Sequence, residues 1–165
     1  MTSHIAYYDS PLGRILLSEE EGRLTGLWFE GQKYYGSNLD NESIEEDTDV
    51  LEEAKSWLDI YFAGKIPDFE LPLKFKGTDF QIKVWEALLK VEYGQRISYK
   101  QLGEMIYGDE NFSCRAIGMA VGHNPISLIV PCHRIIGSDG SLKGYAGGLE
   151  RKEYLLKMEE EVLRR

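Results

Sequence analysis

The chain opens with three short apolar runs set between turn signals. "HIAYY" and "RILLSE" flank the Pro/Gly turn "DSPLG", and "LTGLWFE" follows "EEEGR". Runs this short, rich in Ile, Leu, Tyr and Trp, predict a small antiparallel sheet. "SNLDNESIEEDTD" then brings six acids and no base, the pattern of a solvated loop. Next, Val50, Leu51, Ala54, Trp57, Leu58, Tyr61 and Phe62 recur at helical spacing on one face. "AGKIPDF" ends that helix, with Gly64 near its end and Pro67 beyond. "FELPLKFKG" reads as a linker or an edge strand. A boundary near Gly77 divides the chain into domains 1–76 and 77–165.

The second part changes period and reads as a run of short helices. Thr78 and Gln81 make a capping box, and Phe80, Val84 and Leu88 form a stripe with Trp85 beside it. "YGQRIS" breaks that helix, and Ser98 can cap the next, "YKQLGEMIY". After "GDENFS" a third helix begins at "CRAIGMAVGH". Two short helices joined by a polar turn predict a helix-turn-helix. Ala116, Gly118 and Ala120 let the second of them lie close to something, and spacing alone favours a neighbouring helix. "ISLIVP" predicts a buried strand or extended segment, and "GSDGSLKG" a turn or wing. The last helix, "LERKEYLLKMEEEVL", presents Leu149, Tyr154, Leu155, Met158 and Leu163 as its apolar residues.

Composition narrows the class. With 165 residues, 42% hydrophobic, the chain can bury a real core. No apolar run approaches the roughly 18 residues that span a membrane. The N-terminus has no basic region followed by an apolar one, so the cytoplasm is the expected location. The net charge of −9 argues against nucleic acid only if it is spread evenly. Residues 1–75 carry 6 basic and 16 acidic side chains, whereas residues 76–165 carry 13 and 12. A DNA surface belongs in the second half, with weak, salt-sensitive binding. His4, His123 and His133 do not fall at zinc-finger spacings and the two cysteines cannot build a thiolate cage, so no metal is expected.

Cys114 reads as a small buried hydrophobe, the usual state of a free cysteine. Cys132 differs. Pro131 stops regular structure before it, and His133 and Arg134 follow. A nearby cation favours thiolate over thiol. Adjacent side chains on a strand face opposite ways, so His133 need not touch the sulfur. Spacing alone leaves Cys132 either a packing residue or a nucleophile.

The wider pattern is more specific. "NPISLIVPCHRIIGSDGSLKGYAGG" closely resembles the active-site region of the O6-alkylguanine-DNA alkyltransferases, the methylated-DNA–protein-cysteine methyltransferases. The likeness runs back through "RAIGMAVGHNP" and "YGQRISYKQLGEMI" to "FQIKVW", and forward through "ERKEYLLKMEE". It covers residues 78–161, while residues 1–75 match loosely as the family's variable N-terminal domain. The resemblance implies an α+β fold. A ribonuclease H-like N-terminal domain, with a small antiparallel sheet and a helix, precedes a mainly helical winged helix-turn-helix domain.

The resemblance also implies roles. Cys132 is the alkyl acceptor, and His133 its general base, acting through a water. Glu159 orients His133; taken alone it is one more solvated helix acid. Asn124 braces the active-site turn. Tyr99 contacts the flipped base and nearby phosphate, and can give a proton or hydrogen bond as guanine leaves. Arg115 fills the gap left by the extruded base, and Ala116 and Gly118 let its helix approach the minor groove. Gly144, Tyr145 and Ala146 shape the guanine pocket, with Pro131 beside them. Three departures bear on DNA affinity: Glu92 replaces the proline of the family's "IPYG" turn, the segment from Tyr99 to Arg115 is longer than in some relatives, and Gly122 stands where some carry a base.

The implied function is single-turnover repair of double-stranded DNA. A methyl or other small alkyl group passes from O6-alkylguanine, or O4-alkylthymine, to Cys132, with no cofactor, by a monomer that needs no membrane. Three alternatives differ in what they require. An alkyltransferase-like binder flips the lesion but lacks the cysteine. A plain winged-helix regulator wants more basic charge. A Cys-His hydrolase of unrelated type turns over many acyl substrates.

Overall fold

The computed structural model describes residues 2–40, 42–108, 111–142 and 144–165. Its first three strands, β1 (Ser3–Ser10), β2 (Gly13–Glu20) and β3 (Arg23–Phe29), form the predicted antiparallel meander. The acidic segment is not all loop. Ser43–Glu45 forms a short exposed strand, β4, parallel to β1, so the sheet order is β3-β2-β1-β4 and the sheet is mixed. Charge patterning missed it because an edge strand with no buried face carries no apolar alternation. Helix α1 (Asp49–Phe62) packs across the sheet through Val50, Leu51, Ala54, Leu58 and Tyr61, as its spacing requires.

The stretch between sheet and second helix is an edge pairing of minimal length. Leu24 N donates to Pro72 O and Lys74 N to Leu24 O, which covers part of the β3 edge. Lys76 continues the tie with an ion pair to buried Glu20, 2.5 Å. The remaining helices are α2 (Asp79–Leu88), α3 (Tyr99–Tyr107), α4 (Cys114–Gly122) and α5 (Leu149–Leu163). The expected capping box of Thr78 with Gln81 forms, and the expected Ser98 cap proves to be a second box, closed by Gln101. The α3 and α4 helices make the helix-turn-helix, braced from α2 by Trp85 Nε1, which donates to Ala120 O at 2.8 Å. Asp109 and Glu110 of its turn lie outside the described residues.

A two-residue parallel pair, β5 (Ile97–Ser98) with β6 (Ile135–Ile136), joins the α3 cap to the cysteine segment. The turn after β6 closes through Gly137 N to Ser141 O, 2.8 Å, and Lys143 beyond it lies outside the described residues. One apolar core runs through both halves, from Ile15, Leu27 and Leu58 to Val84, Ile117 and Leu155. Among the described residues no helix is long and apolar enough to cross a membrane.

Candidate active site

The segment "NPISLIVP" is not a strand. Asn124 folds it into a loop: Asn124 Nδ2 donates to Val130 O (2.9 Å), and Asn124 Oδ1 accepts from Ile126 N (3.0 Å). Leu128 takes a left-handed conformation, φ 74°, at the loop's tip. From the sheet side, Leu27 N donates to Pro125 O, and Ser127 N to Leu27 O. An amide side chain and a strand edge thus satisfy backbone groups that a ladder would otherwise take. The loop delivers Cys132, His133 and Arg134 as one 3-10 turn, capped by Pro131. All three side chains are buried, so the opposite-face argument for a strand does not apply.

Glu159 lies at the centre of what surrounds them. It is fully buried, not solvated. His133 Nε2 lies 2.7 Å from Glu159 Oε2. Arg134 donates through Nε to Oε1 (2.9 Å) and through Nη2 to Oε2 (3.0 Å). Gly94 N reaches Oε1 at 2.9 Å, and the Tyr61 hydroxyl reaches Oε2 at 2.6 Å. Gly94 meets the carboxylate from a left-handed turn, φ 79°, which a side chain would strain. That turn uses Glu92 N as a donor to Gln95 Oε1 at 3.0 Å, a bond that a proline there cannot make.

The charge states follow. Burial pushes the Glu159 carboxyl up, but the bonds and charges of His133 and Arg134 outweigh it and hold it well below the usual range. Burial pushes His133 down; Glu159 opposes this, and the positive charges of Arg134 and Lys152 add to it. Burial likewise pushes the Cys132 thiol up, against the Asn124 side chain, the Lys152 charge and the Ser127 side chain. The resting pair is therefore a neutral imidazole beside a neutral thiol. Of the two groups expected to favour thiolate as cations, burial keeps His133 neutral and Arg134 spends its charge on Glu159. Lys152 supplies the positive charge instead, and burial still wins. Buried Lys152 donates Nζ to Ile135 O, and burial lowers it to about 8. His133 Nδ1 is buried and has no hydrogen-bond partner among the described residues, leaving it the face that can take a proton.

Tyr99, the first residue of α3, is half-buried between α4 and the loop before α5. A Cβ at Gly118 would sit 3.7 Å from its ring, and one at Gly144 3.1 Å from its hydroxyl. Burial, then the Cys132 charge, raises its phenol, so it remains a proton donor. A side chain at Gly118 would thus meet Tyr99 in ordinary contact, whereas one at Gly144 would crowd its hydroxyl; Ala120 is the small residue that meets a helix. Tyr145 stands edge-on to His133, ring centroids 6.5 Å apart. Gly144, Tyr145 and Ala146 line a cavity of about 170 Å³ together with Tyr34, Met119 and His123. Neither Pro131 nor Cys132 lines that cavity. Arg115 is exposed at the start of α4, where the Ser113 hydroxyl caps Ala116 N. Cys114 is exposed too, which overturns the buried reading: the first residue of α4 faces out.

Sequence reasoning missed Tyr61, Gly94, Ser127 and Lys152 as parts of this site, and it set Arg134 beside the thiol rather than on Glu159. One signal was available. Lys152, Leu155, Leu156 and Glu159 recur at i, i+3, i+4 and i+7, and these are the buried residues of α5. Leu149, Tyr154 and Leu163, expected on the apolar face, are exposed. Two charges interleaved with leucines mark the face that enters the site.

Two family models match the chain. The 6-O-methylguanine DNA methyltransferase ribonuclease-like domain matches residues 4–75, and the DNA binding domain of the same family matches residues 79–161. A methylated-DNA–protein-cysteine methyltransferase of Methanosarcina barkeri is 45% identical over 162 residues, covering 96% of this chain and 99% of its own. A protein of the same name from Mycobacterium tuberculosis is 41% identical over 157 residues, covering 95% and 92%. The fold is similar to a crystal structure of Mycobacterium tuberculosis OGT in complex with DNA, with TM-score 0.85 and 38% identity, covering 98% of this chain and 94% of that one. An O6-methylguanine DNA methyltransferase from Methanococcus jannaschii superposes with TM-score 0.67 at 26% identity, covering 94% and 93%. This chain belongs to the 6-O-methylguanine DNA methyltransferase family.

Proposed function

We propose that the protein repairs O6-alkylguanine in double-stranded DNA by moving the alkyl group to its own Cys132, once per molecule. The observation that carries this reading is the buried Cys132–His133–Glu159 set, with His133 Nε2 held by the carboxylate and Nδ1 left open. His133 takes the Cys132 proton through a bridging water as sulfur forms its bond to the alkyl carbon. The carbon–O6 bond breaks, and its electron pair stays on guanine. Tyr99 stabilises the departing guanine anion by donating a hydrogen bond and keeps its proton; the anion takes a proton at N1 from water, and His133 gives the Cys132 proton back to water, which closes the balance. Sulfur gains the alkyl group, guanine is restored, and no oxidant or cofactor is involved. A thiolate is a poor leaving group from the alkyl carbon of a neutral thioether, so Cys132 is not regenerated.

The remaining assignments complete the reading. Residues 77–165 form the DNA-binding and alkyl-acceptor domain, and residues 1–76 brace it. Arg115 enters the minor groove ahead of Ala116 and Gly118, and fills the space of the flipped base. Gly144, Tyr145 and Ala146 receive the guanine, with Pro131 fixing the turn that presents Cys132. A monomer suffices.

The test is nucleoside analysis of a duplex carrying one O6-methylguanine. One guanine restored per protein molecule, with none from a second dose of DNA, supports the reading. Repeated turnover overturns the stoichiometric part. Selective binding to the damaged duplex without restored guanine moves the protein to the alkyltransferase-like class.

A further inference from the structure

The carboxylate of Glu159 accepts five hydrogen bonds, from His133, Gly94, Tyr61 and twice from Arg134. That exceeds the roughly four lone-pair sites of a carboxylate. Four of the donors come from residues 94–134. The fifth, the Tyr61 hydroxyl, comes from α1 in the other half of the chain, and it shares Oε2 with His133.

We propose that Tyr61 is a positioning residue for alkyl transfer. Its hydroxyl fixes the Glu159 oxygen on which His133 depends, which makes the N-terminal half part of the active site. The inference rests on the alkyl-transfer reading for its kinetic consequence, but not for its effect on His133.

The geometry leaves this hydroxyl little freedom. Tyr61 is fully buried. Its ring stacks on Trp57 (centroids 5.4 Å apart, 7° between planes), with Phe62 edge-on at 5.4 Å and Tyr93 at 6.0 Å. Burial and the Glu159 charge keep the phenol protonated, so it is a donor at every working pH. A donor on Oε2 draws negative charge away from the His133 bond. It also holds the carboxylate in the plane that His133 and Arg134 both use. The groups facing His133 are Glu159, Arg134, Lys152, Cys132 and Tyr145; those facing Tyr61 are Glu159, Arg134 and Tyr93. Tyr61 is therefore the group by which α1 acts on the pair.

Tyr61→Phe removes one oxygen and keeps the ring. Oε2 then gives more charge to His133, and the imidazolium is favoured. His133 holds its proton to higher pH, so the acid limb of the transfer rate moves up. The test uses the full chain, wild type and Tyr61→Phe, in single-turnover transfer from an O6-methylguanine duplex between about pH 5 and pH 8. DNA affinity is measured alongside, and the His133 ring is titrated by ¹⁵N NMR. The expected result is a rate lowered about three- to ten-fold on the acid limb, the effect of moving a titration by half a unit to one unit. The His133 midpoint moves in the same direction, and DNA affinity does not change. Superimposable His133 titrations overturn the proposal, even if the variant is less stable. If the wild type transfers nothing, the alkyl-transfer reading fails, while the His133 titration still decides the role of Tyr61.

Discussion

Cys114 and Cys132 are the same side chain in opposite settings. Cys114 is exposed at the start of α4, and Cys132 is buried with its thiol pushed up. A thiol reagent at neutral pH should therefore label Cys114 rapidly in the native protein and Cys132 only on unfolding, read by peptide mass. Cys114→Ser should leave alkyl transfer unchanged. Glu159→Gln should do the opposite. It leaves the Arg134 charge buried without its partner and should destabilise the protein by about 3–5 kcal/mol in denaturant titration. It should also slow transfer at least ~100-fold, by analogy with loss of the orienting carboxylate in a catalytic triad. Because the folded Glu159 carboxyl lies below its unfolded value, its stabilising effect is present above about pH 4.3 and lost as pH falls toward the folded value. Acid unfolding of Glu159→Gln should be correspondingly less steep. At this scale the chain itself was half legible. The order of Pro131, Cys132 and His133 left packing residue and nucleophile both open, and only the wider motif singled them out; Glu159, apart from that resemblance, looked like any helix acid until the fold buried it.

Elements were legible where the signal is local. Both capping boxes, the α1 stripe and the helix-turn-helix follow from neighbours within four residues. The loop at 124–130 read as a strand or extended segment because half of what bends it is remote: Asn124 closes it locally, but the β3 edge that holds it lies about a hundred residues earlier in the chain. The α5 face was misread for a related reason: apolar content pointed to Leu149, Tyr154 and Leu163, while the site required Lys152 and Glu159 to face inward. The helix-turn-helix depends on a small residue at Gly103, where an added Cβ would lie 2.2 Å from the Phe112 ring. Gly103→Ala should cost about 1–3 kcal/mol through overpacking, measured by thermal melting. Because α3 also carries Tyr99, transfer should fall with it.

The whole molecule joins an acidic half to a nearly neutral one. Residues 1–75 have net charge −10 and residues 76–165 net +1. The halves are tied by Glu20 to Lys76, by β3 to the loop at 124–130, and by Tyr61 to Glu159. With so little excess positive charge, few phosphates can be neutralised. The log–log dependence of DNA affinity on salt should have a slope shallower than about −4, measured by fluorescence titration. The charge split was visible in the sequence and correctly directs the search for DNA to the second half. The bracing by the first half was not visible, since no local pattern marks a hydrogen bond between residues 61 and 159. The central claim is that Cys132 itself receives the alkyl group. Intact and peptide mass after incubation with an O6-methylguanine duplex test it most directly. A gain of about one methylene, confined to the Cys132 peptide, reaching one per molecule and absent in Cys132→Ser, is the expected result. An unchanged mass while the DNA lesion disappears, or a gain at Cys114, would contradict it.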